Sequence, residues 1–469
     1  MSQVATYHIP DFHFDYYSII PHKTQPQLLM VSNENGWSLP HFVPYEHHFG
    51  IVDHINQEIK VQLGLNVTTL RCFHEDYSRE TKTGCRVYAM ENHSPQWTLP
   101  TNARWIEFHE LDSLIFAMPK LRHISKSWFA EIISNNIPKL RVPWARIGWF
   151  EKAVVWINLQ LNNFSLSATT PIIQVKNWEI SSLLKVNTTS GNFYLKAAPT
   201  TFANEPKLTY LLSKMYPNYV PKLLAVDTEE QWMLMRDFGG EHLAKITDIF
   251  QWEAALRLFA EMQIQAVEQV DKLLILGFPD RQVDRLASQI DPLFADTSAL
   301  VPQTDSGLSE TEIETLRSLT SHLKEMCREL AVCGIPSTLI HGDLHPQNVV
   351  VTDGKHIYFD WSDAAISHPF FDIVNFLQKI EEELPDVADI RIRLRNVYLE
   401  SWTIYLPMEQ LISLFEKTQP LAALYNAIVY SEITQNLEAS QKWQMAGAVP
   451  FFLKTLIKKI HCVTHLTSL

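Results

Sequence analysis

Inside a long helical region the chain breaks into a run that no helix can carry. It reads Leu339-Ile340-His341-Gly342-Asp343-Leu344-His345-Pro346-Gln347-Asn348-Val349-Val350-Val351, then Asp353-Gly354, then Ile357-Tyr358-Phe359-Asp360-Trp361. Gly342 and Pro346 stop helix propagation, the apolar triplets read as short strands, and Asp-Gly is a hairpin turn signal. Around it, helical periodicity predicts Trp252–Gln269, Glu310–Leu330 and several helices from Phe371 onward, with Ser309-Glu310-Thr311-Glu312 as a capping box. Residues 241–469 therefore form a mostly helical unit with a small β insertion.

Three polar groups end or follow these strands: Asp343, Asn348 five residues later, and Asp360 after the hairpin. Phosphoryl transfer to a hydroxyl needs a carboxylate near the attacking oxygen. It also needs hard oxygen ligands for Mg²⁺, an ion that keeps part of its water shell and takes few protein groups. Asp-x₄-Asn followed by an Asp after a strand is the spacing protein kinases use for that chemistry. The plainer alternative is a surface loop in which Asp343 and Asn348 only cap turns. Zinc binding by His341 and His345 fits poorly, because their spacing suits a helix that Gly342 and Pro346 forbid. His341 is expected to bond backbone and hold the loop in shape.

Upstream, residues 172–240 have β texture. Ile180–Val186 and Phe193–Ala197 are joined by a turn-rich hexapeptide, and Trp232–Met235 is a further strand. Lys196 ends the second run, where it is placed to contact nucleotide phosphates. Glu205 opens the next helix, with Pro206 in its first turn, and is the partner expected for Lys196. Taken alone, Lys196 would read as an exposed edge lysine, and Glu205 as an acid favoured by the helix dipole. Leu234-Met235-Arg236-Asp237-Phe238-Gly239-Gly240 reads as a hinge. No GxGxxG lies between Ile172 and Lys196; Asn177-Trp178-Glu179-Ile180-Ser181-Ser182 stands there instead, which disfavours a protein kinase.

With His341-Gly342-Asp343-Leu344-His345-Pro346-Gln347-Asn348, Tyr358-Phe359-Asp360-Trp361 and Pro369-x-x-Asp372, the chain resembles the aminoglycoside phosphotransferase and choline kinase-like family over about residues 172–469. The resemblance implies an α+β, two-lobed protein-kinase-like fold using ATP and Mg²⁺. It also implies Asp343 as catalytic base, Asn348 and Asp360 as Mg²⁺ ligands, Lys196 as the phosphate contact, and Asp372 as a structural support. The acceptor class it implies is a small, hydroxylated, often amine-bearing molecule.

The first 140 residues resemble a degenerate Nudix α/β domain. The likeness rests on the strand Gln27–Val31, on Gly36-Trp37-Ser38-Leu39-Pro40, and on the helix around Gln57-Glu58-Ile59-Lys60-Val61-Gln62-Leu63-Gly64. Val61 and Gln62 stand where that pattern has its metal-binding glutamates. Glu58 alone cannot hold the ions that diphosphate hydrolysis requires, so this domain is expected to be inactive. The resulting plan is 1–140 Nudix-like, 141–171 linker and connecting helix, 172–240 N-lobe, and 241–469 C-lobe.

A length of 469 residues suits two or three domains. Residues 241–469 carry 18 basic and 31 acidic groups, the source of the chain's net charge of −13. That balance disfavours a duplex nucleic-acid surface. It suits either a solubilising surface or a cleft that attracts a cationic substrate. Five scattered cysteines without a CxxC pair suggest a reducing, cytoplasmic setting. No membrane-length apolar run and no basic, apolar leader is visible, Asp11 and Asp15 standing near the start. Oligomeric state has no signature. Two readings result: an ATP-dependent small-molecule phosphotransferase, or a nucleotide-binding pseudoenzyme or regulatory module without turnover.

Overall fold

The computed structural model describes residues 13–466 apart from 79, 95–96, 135 and 302–306, with side chains described as far as residue 461. Asp11 and the Cys462 side chain lie outside the described residues. Seven strands open the chain: β1 His13–Ile19, β2 Gln27–Asn33, β3 Gly36–Ser38, β4 His41–Phe42, β5 Val67–Ser78, β6 Thr83–Asn92 and β7 Ala103–Glu107. They form a four-stranded sheet of order β4-β1-β6-β5, in which β1 and β6 run parallel, and a three-stranded sheet of order β3-β2-β7. Helices α1 (Asp53–Leu63) and α2 (Pro119–Ser134) complete this region. Helix α1 buries His54, Ile55 and Ile59. Val61 is exposed, and Gln62 donates to Glu58 Oε1 at 2.9 Å on the same exposed surface.

Helix α3 (Trp149–Asn163) lies on one face of the next sheet. Its buried stripe Ala153, Ile157 and Leu161, with Trp144 and Trp149, packs against Leu184, Val186, Leu195, Trp232 and Leu234. Trp149 meets Trp232 edge-on at 6.0 Å. The segment expected as a linker is thus core-forming, because burying each such indole is worth a few kcal/mol.

That sheet contains β8 Ile173–Trp178, β9 Ser181–Thr188, β10 Gly191–Ala197, β11 Leu223–Asp227 and β12 Trp232–Arg236. Its order is β11-β12-β10-β9-β8, and α4 (Glu205–Met215) follows β10. The segment at 237–240 then feeds β13 (Glu241–His242), which pairs with the hairpin at 349–358. Gly240, at φ +80°, brings its Cα so close to that hairpin that a Cβ would lie 2.3 Å from the Val351 carbonyl oxygen.

The C-lobe is helical: α5 Ile249–Val267, α6 Val270–Ile275, α7 Val283–Ala295, α8 Thr297–Leu300 and α9 Glu310–Ala331 precede the β insertion. The insertion comprises β14 Thr338–Ile340, the hairpin β15 Val349–Thr352 with β16 Lys355–Tyr358, and β17 Ala365–Ser367 paired to β14. After it come α10 Phe370–Phe376, α11 Ile380–Glu383, α12 Ile390–Ser401, α13 Met408–Gln435 and α14 Ala448–Leu466. The two lobes give the α+β, kinase-like architecture expected. No helix among the described residues is long and apolar enough to cross a membrane. The four cysteines with described side chains are free thiols.

The amino-terminal region touches both lobes. Val52 N–H donates to the Val175 carbonyl and Asn177 N–H to the Gly50 carbonyl, so the chain near 50 extends the β8 edge. Gln174 and Asn177 side chains bond the backbone of Thr69 and Leu70. Toward the C-lobe, buried Arg141 pairs with both Glu438 and Glu131, Arg71 shares Glu131, and Gln441 Nε2 donates to the Cys72 carbonyl at 3.0 Å.

Candidate active site

The His-Gly-Asp turn is set by close approach. Gly342 has φ +81°, and a Cβ there would sit 2.3 Å from the Asp363 carbonyl oxygen, so only glycine fits. Asp372 at the start of α10 braces this turn: its Oδ2 accepts from His341 N–H at 2.7 Å and its Oδ1 from Gly342 N–H at 2.9 Å. Burial pushes the Asp372 carboxyl up to about 7, against the pull of those two amides. His341 Nε2 lies 3.0 Å from the Phe359 carbonyl oxygen, tying the turn to the segment just after residue 358 that carries Asp360. Burial holds the His341 imidazole down at about 4, so it is neutral at physiological pH and acts as a spacer.

Asn348 Nδ2 donates to the Asp343 carbonyl at 3.0 Å and approaches Asp343 Oδ2 at 3.4 Å. His345 Nε2 stands 3.5 Å from the same oxygen. Phe359 N–H donates to the Asn348 carbonyl, so the segments bearing Asn348 and Asp360 are held edge to edge. Asp360 itself has φ +67°, a left-handed conformation uncommon outside glycine.

Lys196 reaches across from β10 and bridges Glu205 and Asp360, with Nζ 2.5 Å from Asp360 Oδ1. Burial opposes ionisation of Asp360, yet Lys196 beside it, aided by Lys176, holds its carboxyl well below the usual range. Burial alone would lower Lys196; the Asp360 and Glu205 carboxylates hold it above the usual lysine range. Burial raises Glu205 to about 7, the nearby Lys196 charge only partly offsetting it. The sequence-derived residues Lys196, Glu205, Asp343, Asn348 and Asp360 are all brought to one cleft between the lobes.

Lys176 is the residue sequence reasoning passed over. Across the sheet it faces Leu183, and Leu183 faces Lys196. Directly opposed residues share a sheet face, so the two lysines stand in one row, about 10 Å apart at two strand spacings. Lys176 is 8% exposed, and its Nζ sits 3.9 Å over the Trp178 ring. Among the described residues it has no ion-pair partner. Burial, with Lys196 adding to it, lowers its pKa to about 8, while Asp360 and Asp343 favour its charge. A register shift between Gln174 and Lys176 turns the side chain to this face, and no sequence pattern announces that shift.

Beside Asp343 lies a small recess lined also by Gly342, His345, Asp363, Asn375, Gln378, Asn426 and Phe452. It shares Asn375, Gln378, Asn426 and Phe452 with a neighbouring cavity of about 310 Å³ that also meets Arg391, Lys458 and Lys459. The acidic surplus of the C-lobe, from which a cationic substrate could be expected, puts no carboxylate among the residues lining this cavity, but Glu381 pairs with its Arg391 and Glu416 accepts from its Gln419. Among the described residues no cluster of three or more His, Cys, Asp or Glu side chains could hold a metal ion.

Residues 180–406 match the model of the phosphotransferase enzyme family. No curated protein matches the chain. Among solved structures it is similar to choline kinase LicA from Streptococcus pneumoniae, at 13% identity and TM-score 0.43, covering 66% of this chain and 99% of that one. It is also similar to choline kinase from Cryptosporidium parvum, at 13% identity and TM-score 0.48, covering 73% and 97%. A third is ethanolamine kinase from Plasmodium vivax, at 12% identity and TM-score 0.41, covering 76% and 94%. The family match includes neither residues 1–179 nor 407–469, so the Nudix resemblance of the amino-terminal region rests on its sequence motifs.

Proposed function

Residues 180–406 belong to the phosphotransferase enzyme family, and from that premise we propose that the chain moves the γ-phosphate of ATP, with Mg²⁺, to a hydroxyl of a small molecule. The observation that carries this reading is the bridge from Lys196 to both Glu205 and Asp360, beside an Asp343 held by Asn348. Asn348 and Asp360 offer an amide and a carboxylate oxygen, hard donors of the kind Mg²⁺ takes while keeping water and phosphate oxygens as its other ligands. Bound Mg²⁺·ATP supplies the phosphoryl group and neutralises charge that builds on it.

Asp343 takes the proton of the acceptor hydroxyl as its oxygen attacks, and Asn348 holds that carboxylate in line. Lys196 orients the phosphates, and Glu205 positions Lys196. Lys176, on the same sheet face, supplies a second ammonium group where a glycine-rich loop would otherwise offer backbone amides. Asp372 and His341 keep the turn in shape without touching the reacting atoms. Residues 1–140 serve as a non-hydrolysing partner that braces both lobes.

The buried turn between β8 and β9 favours a second reading, a nucleotide-binding module without turnover. Trp178 and Glu179 are 4% and 2% exposed, and Glu179 N–H is directed at Gln444 at 3.4 Å, so this turn is pinned and not free to act as a lid. Acceptor-dependent ADP release by the full chain over a panel of hydroxylated compounds separates the two. Turnover that needs Mg²⁺ and disappears with Lys196→Met supports the transferase. ATP binding without turnover on any acceptor supports the module.

A further inference from the structure

Two helices lay the recess at Asp343 and the adjoining cavity end to end. On α13, Phe415, Gln419, Ala423, Asn426 and Tyr430 recur at helical spacing and share one face. The first four line the cavity of about 310 Å³, and Asn426 and Tyr430 line the recess. On α14, Phe452 borders both spaces, and Thr455 follows it at i+3 along the cavity. The seven residues from Gln419 to Asn426 cover about 10 Å at the helical rise. A volume of about 310 Å³ is within the range of small-molecule sites.

The polar groups of the cavity are largely matched within the protein. Arg391 is paired with Glu381, Nε to Oε1 at 2.5 Å, and the same carboxylate acts on Lys459. Lys459 donates to Gln419 Oε1 at 2.6 Å, and Gln419 Nε2 donates to Glu416. Thr455 donates to the Phe451 carbonyl at 2.9 Å. Lys458 is exposed to solvent. At the join with the recess, Asn426 Nδ2 donates to Asn375 Oδ1 at 2.7 Å, and Asn375 Nδ2 reaches the Gly342 carbonyl, next to Asp343. The deepest wall is apolar: Phe415, Ala423 and Phe452 are 2%, 5% and 6% exposed, and half-buried Val374 lines the same space. Polar groups already satisfied offer a ligand little, so what this cavity has to give is contact with an apolar surface.

We propose that this cavity seats an apolar body, alkyl or aryl, of the acceptor whose hydroxyl Asp343 activates. The acceptor is then an amphiphile rather than a compact polyol. The hydroxyl end rests on the phosphotransferase reading, whereas the apolar seat stands on its own lining. The plainer view, a solvent-filled cleft between α13 and α14, predicts that affinity ignores the length of an apolar group. An apolar seat predicts a gain of about fourfold for each methylene fully buried in it.

Calorimetric titration of the full chain with methyl, hexyl and phenyl β-D-glucosides, below micelle-forming concentrations and without nucleotide, tests the proposal. These probes share one hydroxylated head and differ only in the apolar body. The hexyl or the phenyl compound is expected to bind at least tenfold more tightly than the methyl one, and the larger gain tells alkyl from aryl. That gain should vanish in Thr455→Trp, which fills the cavity from a half-buried position, and shrink in Ala423→Leu, which narrows its deep wall. Equal affinity for all three glucosides, absence of binding by any of them, or a gain that survives undiminished in both variants overturns it. ATP titrated separately with Mg²⁺ reports on the phosphotransferase reading. An apolar gain without ATP binding would sink that reading alone, and ATP binding without an apolar gain would sink the apolar seat alone.

Discussion

Residues 339–363 and residues 176–182 border the same cleft, and each is immobilised by a different source. The catalytic stretch is braced from within its own lobe: Asp372 takes two of its amides, His341 reaches the Phe359 carbonyl, and Gly342 presses on Asp363. The β8–β9 stretch is braced from outside. Gly50, Thr69, Leu70, Trp144 and Gln444 supply its partners, three of them from the amino-terminal region. The β8–β9 turn is a domain junction, and Lys176 at its start is the residue proposed to meet phosphate from this side. Four substitutions, in descending order of expected effect, would break or sharpen that contrast.

Asp343→Ala strikes the internally braced side at its reacting atom. Turnover should fall at least about a hundredfold, the usual span of general-base loss, with ATP affinity nearly unchanged. Retention of more than about a tenth of wild-type kcat/KM, equivalent to about 1.4 kcal/mol, would remove Asp343 from the role.

Arg141→Ala strikes the external brace. It leaves Glu438 and part of Glu131 buried without their cation, which typically costs about 3–5 kcal/mol. Chemical denaturation of the full chain should register that loss; a change under about 1 kcal/mol would mean the junction is not held by this network.

Glu179 at the tip of the turn gives a pH test. Burial raises its carboxyl from 4.5 to about 7, Glu438 adding to the shift and Arg71 and Arg141 opposing it. The folded state therefore holds a proton that the unfolded chain releases near 4.5. Stability conferred by that proton is full below about 4.5 and is lost as pH rises to about 7. Glu179→Gln should stabilise the chain by at most about 3 kcal/mol at pH 8 and by little at pH 4.5. An equal shift in Tm at both pH values would show that Glu179 is not ionising in place.

Lys176→Met should weaken ATP about tenfold, near 1.4 kcal/mol, without lowering thermal stability, since it removes a buried charge that has no ion-pair partner among the described residues. A stability loss with unchanged ATP affinity would make Lys176 structural.

The same contrast explains what could be read in advance. The catalytic stretch was legible because strand, turn and polar residues alternate over a short span, and local chemistry dictates each. Lys196 and Glu205 were legible through the hairpin and the Pro206 helix start. Lys176 was not, because its orientation depends on one register shift in β8. The junction was not either: Gln441 meets Cys72, and Arg141 meets Glu438, across hundreds of residues without a local signature. Strand β5 escaped notice because seven of its twelve residues, Arg71, His74, Glu75 and Asp76 among them, are polar or charged. Trp144, Trp149 and Trp156 pack with the N-lobe sheet, a partner that no local pattern around 144–156 names.

The account turns on whether the bridged Lys196–Asp360 pair and Asn348 form a nucleotide and metal site. Calorimetric titration of ATP into the full chain, with and without Mg²⁺, tests that directly. Wild type should bind more tightly with Mg²⁺, and Asp360→Ala and Asn348→Ala should each lose most of that gain while retaining metal-independent binding through the lysines. ATP affinity with the same dependence on Mg²⁺ in wild type and both variants would contradict it.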